Sequence, residues 1–184
     1  MGILEELLEF WFKEIDPDQW RRFDPQFDAL LEQRFLAILR QASAGELFAW
    51  RKTPKGRLAE IIVLDQLSRN IYRDTPQAFA QDTMVLVLAQ EAISAGVLSA
   101  LNEEERKFIL MPYMHSESRA IHAQAEVLFR QYAPSLYESE LRHKAVIDRF
   151  GRYPHRNRIL GRMSTDEEIE FLKLPGSSFR HPWA

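Results

Sequence analysis

Residues Leu58 to Arg73, LAEIIVLDQLSRNIYR, constrain this chain more than any other stretch. Their spacing predicts a helix, and at about 100° per residue apolar side chains cover nearly all of its surface. A helix so covered lies at the centre of a fold. Yet Asp65, Gln66, Arg69, Asn70 and Arg73 are lodged in its second half. Ionised groups in such a place cost several kcal/mol unless paired and hydrogen-bonded, comparable with a whole domain's net stability. Leu58, Ile62, Asp65, Arg69 and Arg73 share one stripe, and the i, i+4 spacing lets Asp65 and Arg69 pair along the helix. These groups either meet partners inside the protein or line a wet pocket.

The rest of the chain is dense in helix punctuation and nearly empty of strand signals. Ile3, Leu4, Leu7, Leu8 and Trp11 form one apolar seam that stops near Asp16-Pro17. Asp24-Pro25 places a capping side chain before a proline at the first helical position, opening a helix that Gly45 closes. Thr53-Pro54 opens the central helix in the same way, and Thr75-Pro76 the next, which runs to Gly96. Asn102 with Glu105 forms a capping box, and Pro112 bends or ends the helix that follows. Ser116 or Ser118 caps a seam of Ile121, Ala125, Leu128, Phe129 and Tyr132. A helix from about Ser135 stops at Gly151, and Ser164 with Glu167 opens the last one. The expectation is an all-α single domain over residues 1–184, about eight helices in antiparallel hairpins.

At 184 residues and 46% hydrophobic content the chain can bury one sizeable core. No stretch approaches the roughly 18 uninterrupted apolar residues of a membrane span, and the start carries acids where a signal peptide carries bases. There is no cysteine, so thiolate chemistry and disulfides are excluded; the expectation is a cytoplasmic protein. A pI near 6.0 and the lack of any helix-turn-helix or zinc signature argue against a nucleic-acid partner. The net charge of −3 hides an asymmetry: residues 1–32 are strongly acidic and residues 142–162 strongly basic. These ends either dock on each other or leave the basic one for an anionic partner, and docking is the simpler expectation.

Three segments carry groups capable of chemistry. The first is the central helix with Asp65, Arg69, Asn70 and Arg73, joined by Asp82 on the apolar face of the next helix. The second, MPYMHSESRAIH at 111–122, holds His115, Glu117, Arg119 and His122. His115 and His122 are not i+3 or i+4 apart, so they do not share a helical face as metal ligands, and no metal or other cofactor is expected. His115 at a helix junction beside Glu117 suits a general base better. The third, RFGRYPHRNR at 149–158, combines Arg149, His155, Arg156 and Asn157 without a carboxylate, the donor set an anion site requires. Its arginines could equally neutralise Asp65, Asp82 and the acidic first helices. His143, beside Val146 and Ile147, reads as a buried packing histidine.

These blocks together resemble a known family. FWF at 10–12, LDQLSRNIYR at 64–73 followed by Phe79, Ala80 and Asp82, MPYMHSES at 111–118, and FGRYPHRNRILGR at 150–162 resemble the bacterial family called domain of unknown function 924. The resemblance implies a tetratricopeptide-like right-handed helical array, with no established activity. Where that family's His-Ser-Glu block usually continues with Asp, this chain has Ser118. Because the signature blocks contain Asp65, Arg69, Asn70, His115, Glu117, His155, Arg156 and Asn157, these residues are expected to converge.

The reading that follows is a binding domain whose polar pocket holds a small anionic molecule or a peptide end. Arg69, Arg149 and Arg156 would grip it, with Asn70 and Asn157 orienting it. One alternative is a hydrolase or transferase on an anionic metabolite with His115 or His155 as general base, which demands an open cleft. The other is an interaction scaffold, which demands a large exposed apolar groove. The residues do not specify an oligomeric state.

Overall fold

A computed structural model of the chain describes residues 1–179, and among them every regular element is helical. Helix α1 (Ile3–Glu9) runs on into a π-helical turn at Phe10–Glu14. Helix α2 (Pro25–Ser43) starts as its sequence dictates: Asp24 accepts hydrogen bonds from the Gln26 and Phe27 amides, and Pro25 supplies a fixed φ where no N–H is needed. Thr53 caps α3 (Pro54–Ile61) through the Gly56 amide.

Helix α3 does not continue as one regular helix. It passes into a π-helical stretch, Ile62–Leu67, and returns to α geometry as α4 (Ser68–Ile71). Every residue from Leu58 to Ser68 is buried, as the all-round apolar pattern requires. The π turn carries Asp65 and Gln66, and insertions of this kind concentrate at functional sites. It changes the angular register, so the single stripe expected for Asp65, Arg69 and Arg73 splits between two sets of partners.

Helix α5 (Asp82–Ser94) is shorter than expected, because Thr75-Pro76 opens only a 3₁₀ turn, Pro76–Phe79. Helix α6 (Glu103–Met114) has the Asn102–Glu105 capping box. Pro112 does not end it, since one missing N–H is tolerable two residues from the terminus. Helices α7 (Arg119–Tyr132, capped by Ser118) and α8 (Tyr137–Phe150) follow, and α6, α7 and α8 pack each against the next. Gly151 stops α8 at φ 75°, a left-handed conformation that glycine adopts without strain. After a 3₁₀ turn at Pro154–Arg156 come α9 (Asn157–Leu160) and α10 (Asp166–Leu172), whose capping box is Thr165 with Glu168, one residue later than expected.

The main core gathers apolar side chains from α1 to α7 around the central rod. A smaller cluster of Val146, Ile147 and Tyr153, with Phe150, Phe171 and Phe179 against it, lies at the C-terminal side. No helix among the described residues is long and apolar enough to cross a membrane.

The head of the central rod is held by the turn Phe48–Lys52. Arg51 donates two hydrogen bonds to Glu60 (2.7 and 2.9 Å), and Gly56 lies so close that a Cβ there would sit 1.8 Å from the Trp50 carbonyl oxygen. Alanine normally stabilises a helix over glycine by about 1 kcal/mol. Here the backbone contact reverses the sign, and Gly56→Ala is expected to cost about 3 kcal/mol. That lowers Tm by roughly 6–12 °C in a thermal melt. A variant melting within 2 °C of wild type would show that the turn can yield.

Candidate functional site

The polar half of the central rod ends in a buried ion cluster. Arg69 forms a two-pronged pair with Asp82 at the start of α5, both contacts at 2.9 Å, and turns the same guanidinium towards the Asp65 carbonyl (3.1 Å) and carboxylate (3.3 Å). Asp65 is fully buried and accepts from Gln66 (2.7 Å) and from His115 Nδ1 (2.8 Å). A carboxylate partner puts the imidazole proton on Nδ1. Nε2 has no hydrogen bond among the described residues.

Arg156 completes the cluster from the 3₁₀ turn after α8. It is 6% exposed, stacks between the Phe79 and Tyr153 rings (4.5 and 4.7 Å), donates to the His115 carbonyl (2.9 Å) and stands 3.5 Å from Asp82. Its Nε is buried without a partner. His115, Arg69, Asp65 and Arg156 thus converge from three distant segments.

The other candidate residues have different places. Asn70 donates to Asp28 on α2 (2.8 Å), and Arg73 pairs with the same carboxylate (2.6 and 3.1 Å). Glu117 makes no hydrogen bond to the cluster among the described residues. It accepts both prongs of Arg162 (2.8 and 2.9 Å) and the Tyr153 amide (2.8 Å), fastening the turn that carries Arg156. Asn157 is buried and bonds Ser164, Glu168 and Arg162, so it braces α9 and α10 and does not orient a ligand. Arg149 is displaced furthest from its expected role. It is half exposed, pairs with Glu167 (2.9 Å) and lies over the Phe150 ring, outside the cavity.

The expected docking of acidic and basic ends does not describe these pairs either. Glu6 and Glu14 meet Arg34, and Asp28 meets Arg73, while Arg149 and Arg152 meet Glu167 and Glu168 on α10. Each end is balanced close to home.

Beside the cluster lies a cavity of about 400 Å³. Six guanidiniums line it: Arg69, Arg73 and Arg156 inside, and Arg21, Arg22 and Arg158 at the exposed rim. His115, His143 and His155 line it as well, and Asp74 is the one carboxylate in its wall among the described residues. A second cavity of about 360 Å³, with Asp82, Thr83, Ser116 and Glu117 in its wall, shares Phe79, His115 and Arg156 with the first. Sequence reasoning missed the rim arginines, the Phe79–Arg156–Tyr153 stack and the cavity-lining side of His143. Arg21 and Arg22 sit in an acidic stretch where nothing marks them.

A further buried chain fixes the segment bearing His115. His122 stands between Glu140 Oε1 (2.5 Å) and the Ser116 carbonyl (2.6 Å), and the Tyr153 hydroxyl donates to the Met114 carbonyl (2.5 Å). Burial pushes the Glu140 carboxyl up.

Electrostatics separate the histidines from the acid. Burial pushes the Asp65 carboxyl up, but the charges of His115 and Arg69 with hydrogen bonds from His115 and Gln66 outweigh it and hold it at about 2. Burial and the Arg69 charge lower His115 despite Asp65, so the ring is neutral at pH 7. Burial brings His143 to about 3, and burial with the Arg156 charge brings His155 to about 3.

These depressions set the direction of pH dependence. An unfolded histidine takes up a proton near pH 6.5, whereas His143 and His155 in the fold refuse it until about 3. Stability is therefore complete above 6.5 and drains away as pH falls, each histidine contributing up to about 1.4 kcal/mol per unit. Asp65 adds to the loss only below about 3.9. Thermal melts at pH 7.5, 6.5, 5.5 and 4.5 are expected to show Tm falling from the second step onward. A level profile down to 4.5 would mean that these rings are solvated.

Comparison with known proteins gives the fold and no activity. The solved structure described as the protein of unknown function ATU0120 from Agrobacterium tumefaciens is 33% identical, covers 93% of this chain and 97% of its own, and superposes with a TM-score of 0.89. No curated protein matches. The family model described as "Bacterial protein of unknown function (DUF924)" matches residues 7–176, and the chain belongs to that family.

Proposed function

We propose that this is a cytoplasmic binding protein whose cavity holds a small anionic molecule. One observation carries the reading: Arg69, Arg73 and Arg156 line the first cavity, and the carboxylates that pair with them do not. Arg69 is held from the rear by Asp82 and Asp65, and Arg73 by Asp28, and none of these acids lines the cavity. Outward-facing N–H groups with their counter-charges on the far side form a fixed anion receptor. Arg156 adds a third guanidinium to the same wall.

The volume supports a ligand of metabolite size, since such sites occupy about 300–1,000 Å³. Nine large apolar side chains are exposed among the described residues, and those on regular elements, Leu30, Phe48, Val87, Val127 and Ile169, come from five separate ones, which does not favour a scaffold.

Arg156 is a poor first probe, because its removal unstacks two rings and frees the His115 carbonyl. The rim arginines are exposed and separable from the fold. Inorganic phosphate, citrate and 4-hydroxybenzoate at ten times Kd should each add about 1.4 kcal/mol, if bound, and raise Tm by about 3 °C or more. The double variant Arg22→Ala/Arg158→Ala is expected to leave the ligand-free Tm unchanged and to weaken the bound anion about tenfold by calorimetry. If none of the three anions raises Tm beyond a chloride control of equal ionic strength, the cavity is not an anion site.

A further inference from the structure

The arrangement around His115 goes further than recognition. Its Nδ1 is committed to a fully buried carboxylate at 2.8 Å, which fixes the tautomer, orients the ring and stabilises the imidazolium that proton uptake creates. Its Nε2 carries a lone pair without a partner among the described residues. The residue lines both cavities, so a bound molecule can reach it from either side. Ser116, the neighbouring hydroxyl, makes no hydrogen bond to this ring among the described residues, so the nucleophile the ring would activate is a water admitted by the cavity.

Arg156 stands on the same wall. One terminal nitrogen donates to the His115 backbone carbonyl at 2.9 Å, which places the guanidinium beside the base, and its buried Nε is unsatisfied. A guanidinium that lines the cavity next to a base is suited to an oxygen that becomes negative during reaction. We propose that the Asp65–His115 pair hydrolyses a carboxylic ester that carries an anionic group. This rests on the anion-binding reading of the same cavity.

The step balances with residues in place. His115 Nε2 takes a proton from water as the water oxygen forms a bond to the ester carbonyl carbon. The carbonyl π electrons move to oxygen, where Arg156 holds the oxyanion. When the intermediate collapses, the carbon to alkoxide bond breaks and Nε2 returns its proton to the leaving oxygen, giving an acid and an alcohol. His115 is the catalytic residue, and Asp65 is a positioning residue acting through it.

Carbonyl chemistry fits better than phosphoryl transfer for a geometric reason. One base serves both halves of ester hydrolysis from one side, whereas in-line displacement at phosphorus needs an acid opposite the nucleophile. The other cavity-lining imidazoles are neutral, buried His143 and His155, which do not donate a proton near neutral pH. The groups facing His115 are Asp65 and Arg69 from the central rod, Asp82 from α5 and Arg156 from the turn after α8. His115 is the one group in this set that the proposed step titrates, so the rate should follow the imidazole.

The test uses 4-acetoxybenzoate, an acetate ester whose carboxylate lies across a ring from the reacting carbonyl, with phenyl acetate and phenyl phosphate as controls. The full chain is expected to hydrolyse 4-acetoxybenzoate with kcat/KM rising through one ionisation below pH 6.5 to a plateau, and at least tenfold better than phenyl acetate. His115→Gln should lose at least 100-fold in kcat with KM within threefold. Asp65→Asn should lower kcat and move the ionisation, a change that a merely structural role does not produce; if it fails to fold, His115→Gln decides alone. Absence of turnover above the His115→Gln level, or hydrolysis of phenyl phosphate in its place, overturns the proposal. Stabilisation by 4-hydroxybenzoate without turnover of the ester sinks catalysis and leaves anion binding standing, whereas failure of every anion sinks both.

Discussion

The two-pronged pair between Arg69 and Asp82 is the contact on which the rest of this structure depends. It joins the central rod to α5, places a partly buried ion pair at the edge of the apolar core, and sets where Asp65 and Arg156 must stand. Taking any one of the four away leaves an uncompensated charge, a loss of about 3–5 kcal/mol. The π turn at Ile62–Leu67 is part of the same constraint. It lets Asp65 face His115 on α6 while Arg69, one turn on, still reaches Asp82.

Much of this is legible in the residues, and what is not has definite causes. Helix starts follow from local chemistry, and Asp24, Thr53, Asn102 and Ser118 all cap as their types and positions demand. The conflict between apolar coverage and ionic intruders in Leu58–Arg73 correctly marks a buried polar cluster, and Asp82, an intruder on the following helix, is one of its partners. The π turn is invisible because no residue type specifies it; tertiary packing decides it. Glu117, Asn157 and Arg149 were grouped with the cluster because they lie in the same blocks. Adjacency in a block says nothing about which face of a turn a side chain takes. Glu117 and Asn157 turn to Arg162, and Arg149 lies on the solvent side of α8.

The charge asymmetry along the chain misleads for a similar reason. Screening and high dielectric make exposed charges short-ranged, so each finds a partner within a helix or two. Arg34 answers Glu6 and Glu14, and Arg152 answers Glu168, without regard to the average sign of the segment. The local value of a charge is set by whether it is buried and by what stands behind it.

That distinction also decides whether a structural ion network and a binding site are alternatives. With His115 neutral, the inner cluster of Arg69, Arg156, Asp65 and Asp82 sums to zero, so net charge gives it no pull on an anion. In the proposed reading its selectivity comes from placement: Asp65 and Asp82 stay out of the wall of the first cavity, where Asp74 is the one acid among the described residues. The excess positive charge belongs to the rim, where Arg21, Arg22 and Arg158 face solvent and act at longer range. The rim would then govern how readily an anion arrives, and the inner wall what becomes of it. The network is structural because it pairs its own charges, and the proposed site would draw on it because those pairs leave cationic groups in the cavity wall.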